Sequence, residues 1–199
     1  MVTVGLTMRR HRWWRGGAVF MMLLVFFVPS GVSDARGSSA IVGTPTHPQV
    51  LTCAEEATQF ENTLPPAGPH DVAFGPGYFP QARRLATATP HIAPGRRGTY
   101  KLPPVVNPGA TVNLTIAGGA RSYVVQQNPW SPPGGSQSVT YKACADKPGF
   151  FPQSFRFTDG RLRGCVPINV RVNGQRTTRQ IVLSLFAGRC RASSNPISS

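Results

Sequence analysis

Carboxylates are scarce in this chain. Seven Asp and Glu stand against 21 Lys and Arg in 199 residues, for a formal charge of +14. A glycosidase-type mechanism needs two carboxylates facing each other across a cleft. Glu55 and Glu56 are adjacent and so point in different directions, and no other spacing suggests a pair. Histidine is rarer still, with four in the chain, of which His47, His70 and His91 follow the N-terminal region. There is no G-x-S-x-G elbow, P-loop, dinucleotide fingerprint or metal-ligand motif, and Gly134-Gly135-Ser136 reads as loop. No catalytic residue, cofactor or metal ligand is therefore assigned. The enzymatic alternative is a small secreted hydrolase in which His70-Asp71 or His91 meets a distant serine, since triads are defined by geometry rather than chain order.

Helical periodicity is also missing. Charged residues make up 14% of the chain, against 21 glycines and 20 prolines, which favours short strands and turns. Only residues 51–61 have helical character, with Thr52 as N-cap and Glu55 in the capping-box position. No apolar run approaches the roughly 20 residues that span a bilayer. The longest, residues 18–28 (AVFMMLLVFFV), has 11.

That run has the length of a signal-peptide core. Arg9, Arg10, Arg12 and Arg15 precede it, Pro29 and Gly31 break it, and Ser33 and Ala35 supply the small residues of a cleavage site. Residues 1–35 are read as a secretory signal cut after Ala35, with Ala40 as second choice and an uncleaved membrane anchor as the alternative. Residues 36–49 follow as a flexible leader, 50–191 as the folded domain and 192–199 as a disordered tail. From Arg36 onward 17 basic residues face six acidic ones, a net charge of about +11. The mature protein is expected to be secreted and extracellular or wall-associated.

Cys53, Cys144, Cys165 and Cys190 are even in number and all follow the signal, so two disulfides are expected rather than a metal site. From Thr99 onward short alternating segments separated by Pro/Gly turns dominate. Residues 111–116 (TVNLTI), 136–144 (SQSVTYKAC) and 150–157 (FFPQSFRF) each place apolar residues on one face. Residues 100–106 contain two prolines and read as an edge strand. Six or seven such strands predict an all-β, antiparallel two-sheet sandwich of Ig-like or Greek-key type with long Pro/Gly loops.

The clearest unit is residues 163–190, two strands joined by a polar turn. A tight Asn173-Gly174 turn would set Ile168 opposite Arg179 and Val170 opposite Thr177, facing apolar residues with polar ones. A wider loop over residues 173–178 pairs Val170 with Ile181, Ile168 with Leu183 and Val166 with Leu185. Burial usually decides register, so the wider loop is expected. It also sets Cys165 and Cys190 on one outward face, within reach of a bridge. Cys53–Cys144 would then complete the set, with Cys144–Cys165 plus Cys53–Cys190 as the rival.

Basic charge is the feature that carries a functional implication. Eighteen of the 21 basic residues are arginine, and eight lie between Arg156 and Arg191 with Asp159 the only acid among them. Arg171, Arg176 and Arg179 on the hairpin are the candidate contacts for an anionic wall polymer or membrane surface. The competing reading is a charged rim that protects a sheet edge. Nucleic acid is not expected as the partner of an exported chain. Trp130 and Tyr78-Phe79 either stack on sugar rings or cover the core.

The strand ending at Cys144, Phe150-Phe151, Cys165-Val166-Pro167 and the closing LSLFAGRC of residues 183–190 resemble a group of secreted proteins from high-GC Gram-positive bacteria. Residues 100–116, a strand, a Pro-Gly turn and a strand, fit as well. The resemblance covers about half of the chain after the signal. It implies an exported bacterial β-domain and carries no known activity. Amino-terminal sequencing of the exported protein is expected to begin at Arg36, whereas an intact Met1 would establish the anchored form.

Overall fold

The computed structural model describes residues 42–57, 66–90 and 98–191. The expected signal, the first part of the leader and the expected tail lie outside the described residues. Twelve strands follow in chain order. They are β1 (Gln49–Leu51), β2 (Val72–Ala73), β3 (Gly77–Phe79), β4 (Thr99–Lys101), β5 (Val105–Val106) and β6 (Thr111–Ile116). After these come β7 (Val124–Gln127), β8 (Ser138–Lys142), β9 (Gly149–Phe150), β10 (Ser154–Phe157), β11 (Gly164–Val172) and β12 (Arg179–Leu185). Among the described residues helix is confined to single 3-10 turns at Cys53–Glu55, Ala82–Ala86 and Gly118–Ser122. The first of these carries the capping box read from the sequence, the Glu55 carboxylate accepting from the Thr52 N–H at 2.7 Å.

The fold is all-β, and its strands form three open sheets rather than two. The largest has the order β1-β8-β6-β11-β12, the others β4-β10-β7 and β2-β3-β5-β9. Every pairing is antiparallel except β1 with β8, which is parallel. Proline explains why there are more and shorter strands than the sequence suggests. It has no N–H for a ladder, so Pro103-Pro104 divides one expected strand into β4 and β5, which belong to different sheets. Pro152 likewise separates β9 from β10. All three sheets contribute to one apolar cluster, including Val112, Leu114, Ile116, Val166, Ile168 and Leu183 of the large sheet and Phe79, Val106, Phe155 and Phe157 of the small ones.

The hairpin register falls between the two considered. Val166 faces Leu183, Ile168 faces Ile181 and Val170 faces Arg179, so the expected wide-loop pairing is wrong by two residues. Asn173 and Gly174 do form the tight turn, at φ 46° and 70°, with the Gln175 N–H donating to Val172 at 2.8 Å. That turn is held against β6, because Thr111 and Asn173 exchange hydrogen bonds of 2.8 and 2.9 Å. The chain then runs unpaired through 175–178 before β12 begins. Val170 needs no apolar partner on β12, since it is already paired with Leu114 on β6.

The leader is shorter than expected. The Gly43 carbonyl accepts from Gln137 and Ser138 at 2.7 and 2.9 Å, and a Cβ on Gly43 would collide with Ser136. The chain is thus engaged from Gly43 rather than from residue 50. A buried amide network fixes the entry to β1. Gln49 and Asn128 exchange side-chain hydrogen bonds of 3.0 and 3.2 Å, and Ser136 donates to Gln49 at 2.7 Å. Such groups are buried only when paired, so the network defines how the 128–136 loop sits on β1.

The disulfides are Cys53–Cys144 and Cys165–Cys190, with Cα separations of 4.9 and 5.7 Å. They point to an extracellular or oxidising environment. They close 91 and 25 residues respectively. In the chain-entropy account those loops are worth roughly 4.6 and 3.5 kcal/mol. Cys53→Ser with Cys144→Ser is therefore expected to lower the urea midpoint more than Cys165→Ser with Cys190→Ser. The reverse order in equilibrium unfolding would show that native-state strain or residual denatured-state structure outweighs loop length.

Candidate functional site

Alternation along β6, β8 and β11 turns every second side chain away from the core, and these outward residues line up across the sheet. One cross-strand row runs Val50, Thr140, Asn113, Arg171. The next runs Ser138, Thr115, Asn169, Gln180. Apart from Val50 every member is polar. Over these rows lies a groove of about 360 Å³, bordered by Pro45 and Pro48 of the N-terminal segment, Gly174 and Thr178 of the hairpin, and Arg121 of the third 3-10 turn. Its lining contains Arg121 and Arg171 and no carboxylate.

Part of this face is internally satisfied. Asn113 Nδ2 donates to Thr140 at 2.9 Å and Ser138 at 3.1 Å, while Thr115 bonds Asn113 at 2.9 Å and Ser138 at 2.7 Å. Asn113-Leu114-Thr115, which matches the N-glycosylation sequon, is thereby built into a strand with its amide engaged. The other part keeps donors for solvent or ligand. Asn169 accepts from Gln180 at 3.2 Å through Oδ1, and its Nδ2 meets no acceptor among the described residues. Arg171 is exposed. Arg121 donates Nε to the Ile116 carbonyl at 2.8 Å, which orients its terminal fork.

The three sequence-predicted arginines are not gathered at one point. Arg171 lines the groove, whereas Arg176, on the turn, and Arg179, at the start of β12, are exposed outside its lining. Arg121, which the sequence reading did not single out, joins Arg171 instead. Several other arginines have structural partners. Arg161 pairs with Asp159 at 2.6 Å and lies 3.7 Å over the Tyr123 ring; Arg83 donates to the Asp71 carbonyl and Arg156 to that of Gly134.

Tyr78 and Phe79 are core residues, at 7% and 0% exposure, whereas Trp130 is 49% exposed. Its loop is braced by Asn128, whose Oδ1 accepts from the Trp130 N–H at 3.0 Å. The Asp71 carboxylate accepts from the backbone of Gly68 and Gln81, each at 2.7 Å. His70 beside it is exposed, and His91 lies outside the described residues. Cys53, Glu56 and Cys144 are clustered closely enough to hold a metal, but both sulfurs are spent in the disulfide.

Glu56 is the one described carboxylate pushed upward. Burial raises its pKa, opposed by the hydrogen bond it accepts from the Cys144 N–H at 3.0 Å. An acid with a raised folded value holds more protons when folded, so its contribution is present below the unfolded value of about 4.3 and is lost as pH rises through the folded one. Glu55 and Asp159 are lowered by their hydrogen bonds to Thr52 and Arg161 and act in the opposite sense. Glu56→Gln is therefore expected to gain stability relative to the wild type between pH 4 and 7. Parallel urea-midpoint profiles for the two proteins would contradict it.

No protein-family model, curated protein or solved structure matches the chain. Among the described residues no helix is long and apolar enough to cross a membrane.

Proposed function

We propose that this chain is an exported, non-enzymatic binding domain of the cell envelope that contacts an anionic polymer through arginines on its large sheet. The observation that carries the reading is the polar groove with Arg121 and Arg171 in its lining and no carboxylate. A positive field without local neutralisation attracts polyanions at long range, and guanidinium forks then hold carboxylate or phosphate oxygens. Arg176, exposed at the hairpin, adds to this field, whereas Arg179, exposed at the sheet end, opposes Val170 and so lies in the inward phase of β12. The two disulfides and the resemblance of the C-terminal half to secreted bacterial proteins support export.

The same reading takes the fold as an Ig-like sandwich in which the two small sheets together form the second layer. Phe79 of β3 and Phe155 of β10 support it, their rings packing edge to face at 5.9 Å across the two small sheets. A second layer packed on the inward face leaves the outward face of the large sheet free for a ligand.

Ionic contact predicts salt dependence. Protein bound to purified anionic wall material is expected to be released between about 0.1 M and 1 M salt, as the Debye length falls from ~10 to ~3 Å. Retention at 1 M salt, or equal binding to wall material stripped of its anionic polymer, would refute the reading.

A further inference from the structure

The groove has more chemistry than charge. We propose that it is a subsite for a segment of acidic polysaccharide, in which Arg121 and Arg171 hold the anionic groups and Asn169, Thr111, Thr140 and Thr178 hydrogen-bond the sugar hydroxyls. This rests on the binding reading above and narrows it from a charged surface to one place and one ligand class.

Four observations support it. The volume, about 360 Å³, lies at the lower end of the range for small-ligand pockets, suited to a short segment of a chain rather than a large folded partner. Its polar groups form a lattice set by the sheet, ~4.8 Å between strands and ~6.8 Å between outward residues of one strand. Hydroxyls and amides at such intervals suit a ligand that is itself studded with hydroxyls. The lattice is held in advance, because Asn113, Thr115, Ser138 and Thr140 position one another and Arg121 is oriented through Nε. Less side-chain freedom is then lost on binding. Finally, the wall carrying Pro45 and Pro48 is fixed by the hydrogen bonds of Gly43 to 137 and 138 and by the Gly43 N–H to the His47 carbonyl at 2.7 Å.

The same lining argues against the other polyanions. Sites for single-stranded nucleic acid stack bases on aromatic side chains, and this groove has none. Membrane-surface binding inserts apolar residues, whereas the rows beneath the groove are polar apart from Val50, at the β1 edge.

The test uses the full chain, recovered after export with both disulfides closed, and five probes. These are a polyuronate, a poly(glycerol phosphate), a hydroxyl-free linear polyphosphate, neutral dextran and anionic phospholipid vesicles. Tighter binding of the polyuronate than of the other four is the expected result. Preference for poly(glycerol phosphate) would overturn the assignment to acidic sugars in favour of a phosphodiester polyol. Arg121→Gln with Arg171→Gln is expected to weaken the polyuronate about tenfold, the loss of roughly 1.4 kcal/mol. Asn169→Ala should weaken it severalfold and leave polyphosphate unchanged. Arg176→Gln with Arg179→Gln should have a much smaller effect. These are exposed or half-exposed positions, and melting curves that overlay the wild type confirm that the variants fold.

Equal affinity for polyphosphate with a silent Asn169→Ala, or a loss confined to the Arg176/Arg179 variant, would overturn the subsite while leaving anionic contact in place. Preference for vesicles would replace the polysaccharide with a membrane. Dextran bound as tightly as the polyuronate would remove the role of charge. If no polyanion binds, the subsite and the broader reading fall together.

Discussion

The two-residue period of β11 is the constraint on which the rest of the structure depends. It is the longest strand among the described residues and is paired on both edges, with β12 over residues 164–170 and with β6 over residues 168–172. Val166, Ile168 and Val170 therefore have to enter the core, and Cys165, Asn169 and Arg171 have to leave it. The inward set joins the cluster shared by all three sheets. The outward set supplies a disulfide half, a groove floor and a groove arginine. A slip of one residue would exchange the two sets, burying an arginine and exposing three aliphatic side chains. Fold and candidate site are thus fixed by the same alternation, and neither can change without the other.

Alternation is what the sequence displays most openly, and it makes strands legible except where a proline interrupts it, as Pro152 does within residues 150–157. TVNLTI and the β11–β12 pair are examples of legible strands. What alternation cannot convey is pairing. The hairpin alone shows only one edge of β11, whereas the register depends on both. Once β6 supplies Leu114 to Val170, an arginine opposite Val170 costs little. The split of residues 100–106 between two sheets was half legible, since the prolines marked a weakness in the strand but not the change of sheet. The anchoring of residues 43–49 is hidden in the sequence for a related reason. Gly43 and Gln49 look like linker residues, yet each is fixed by partners some 90 residues away. Buried polar contacts of this kind leave no periodic trace.

The site was legible to a lesser degree. Arginine abundance is visible in composition, but exposure and grouping are not. Arg161 and Arg156 belong to the same arginine-rich stretch as Arg171, yet one is paired with Asp159 and stacked on Tyr123, and the other donates to Gly134. Arg121, isolated in the sequence, reaches the groove because the 3-10 turn after β6 folds its Nε onto the Ile116 carbonyl. The Asn and Thr members of the outward rows carried a signal that was available, since each occupies the polar phase of an alternating strand. Only the pairing of β8, β6 and β11 converts three separate polar phases into one face.

Hydrogen-bond capacity divides that face unevenly, and the division separates architecture from recognition. On the β6–β8 side the tetrad Asn113, Thr115, Ser138 and Thr140 largely answers its own demands, as expected of polar groups that are half-buried and must not be left unpaired. A face that served only to solvate the sheet could have been built that way throughout. On the β6–β11 side it is not: Asn169 spends its carbonyl on Gln180 and leaves its amide donors outward, next to a guanidinium with no acidic partner in the groove. Donors therefore outnumber acceptors where the groove is open, and a donor-rich surface is complementary to ligands rich in acceptors and negative charge. The arrangement gives such a surface rigidity from one half of the sheet and unsatisfied donors from the other.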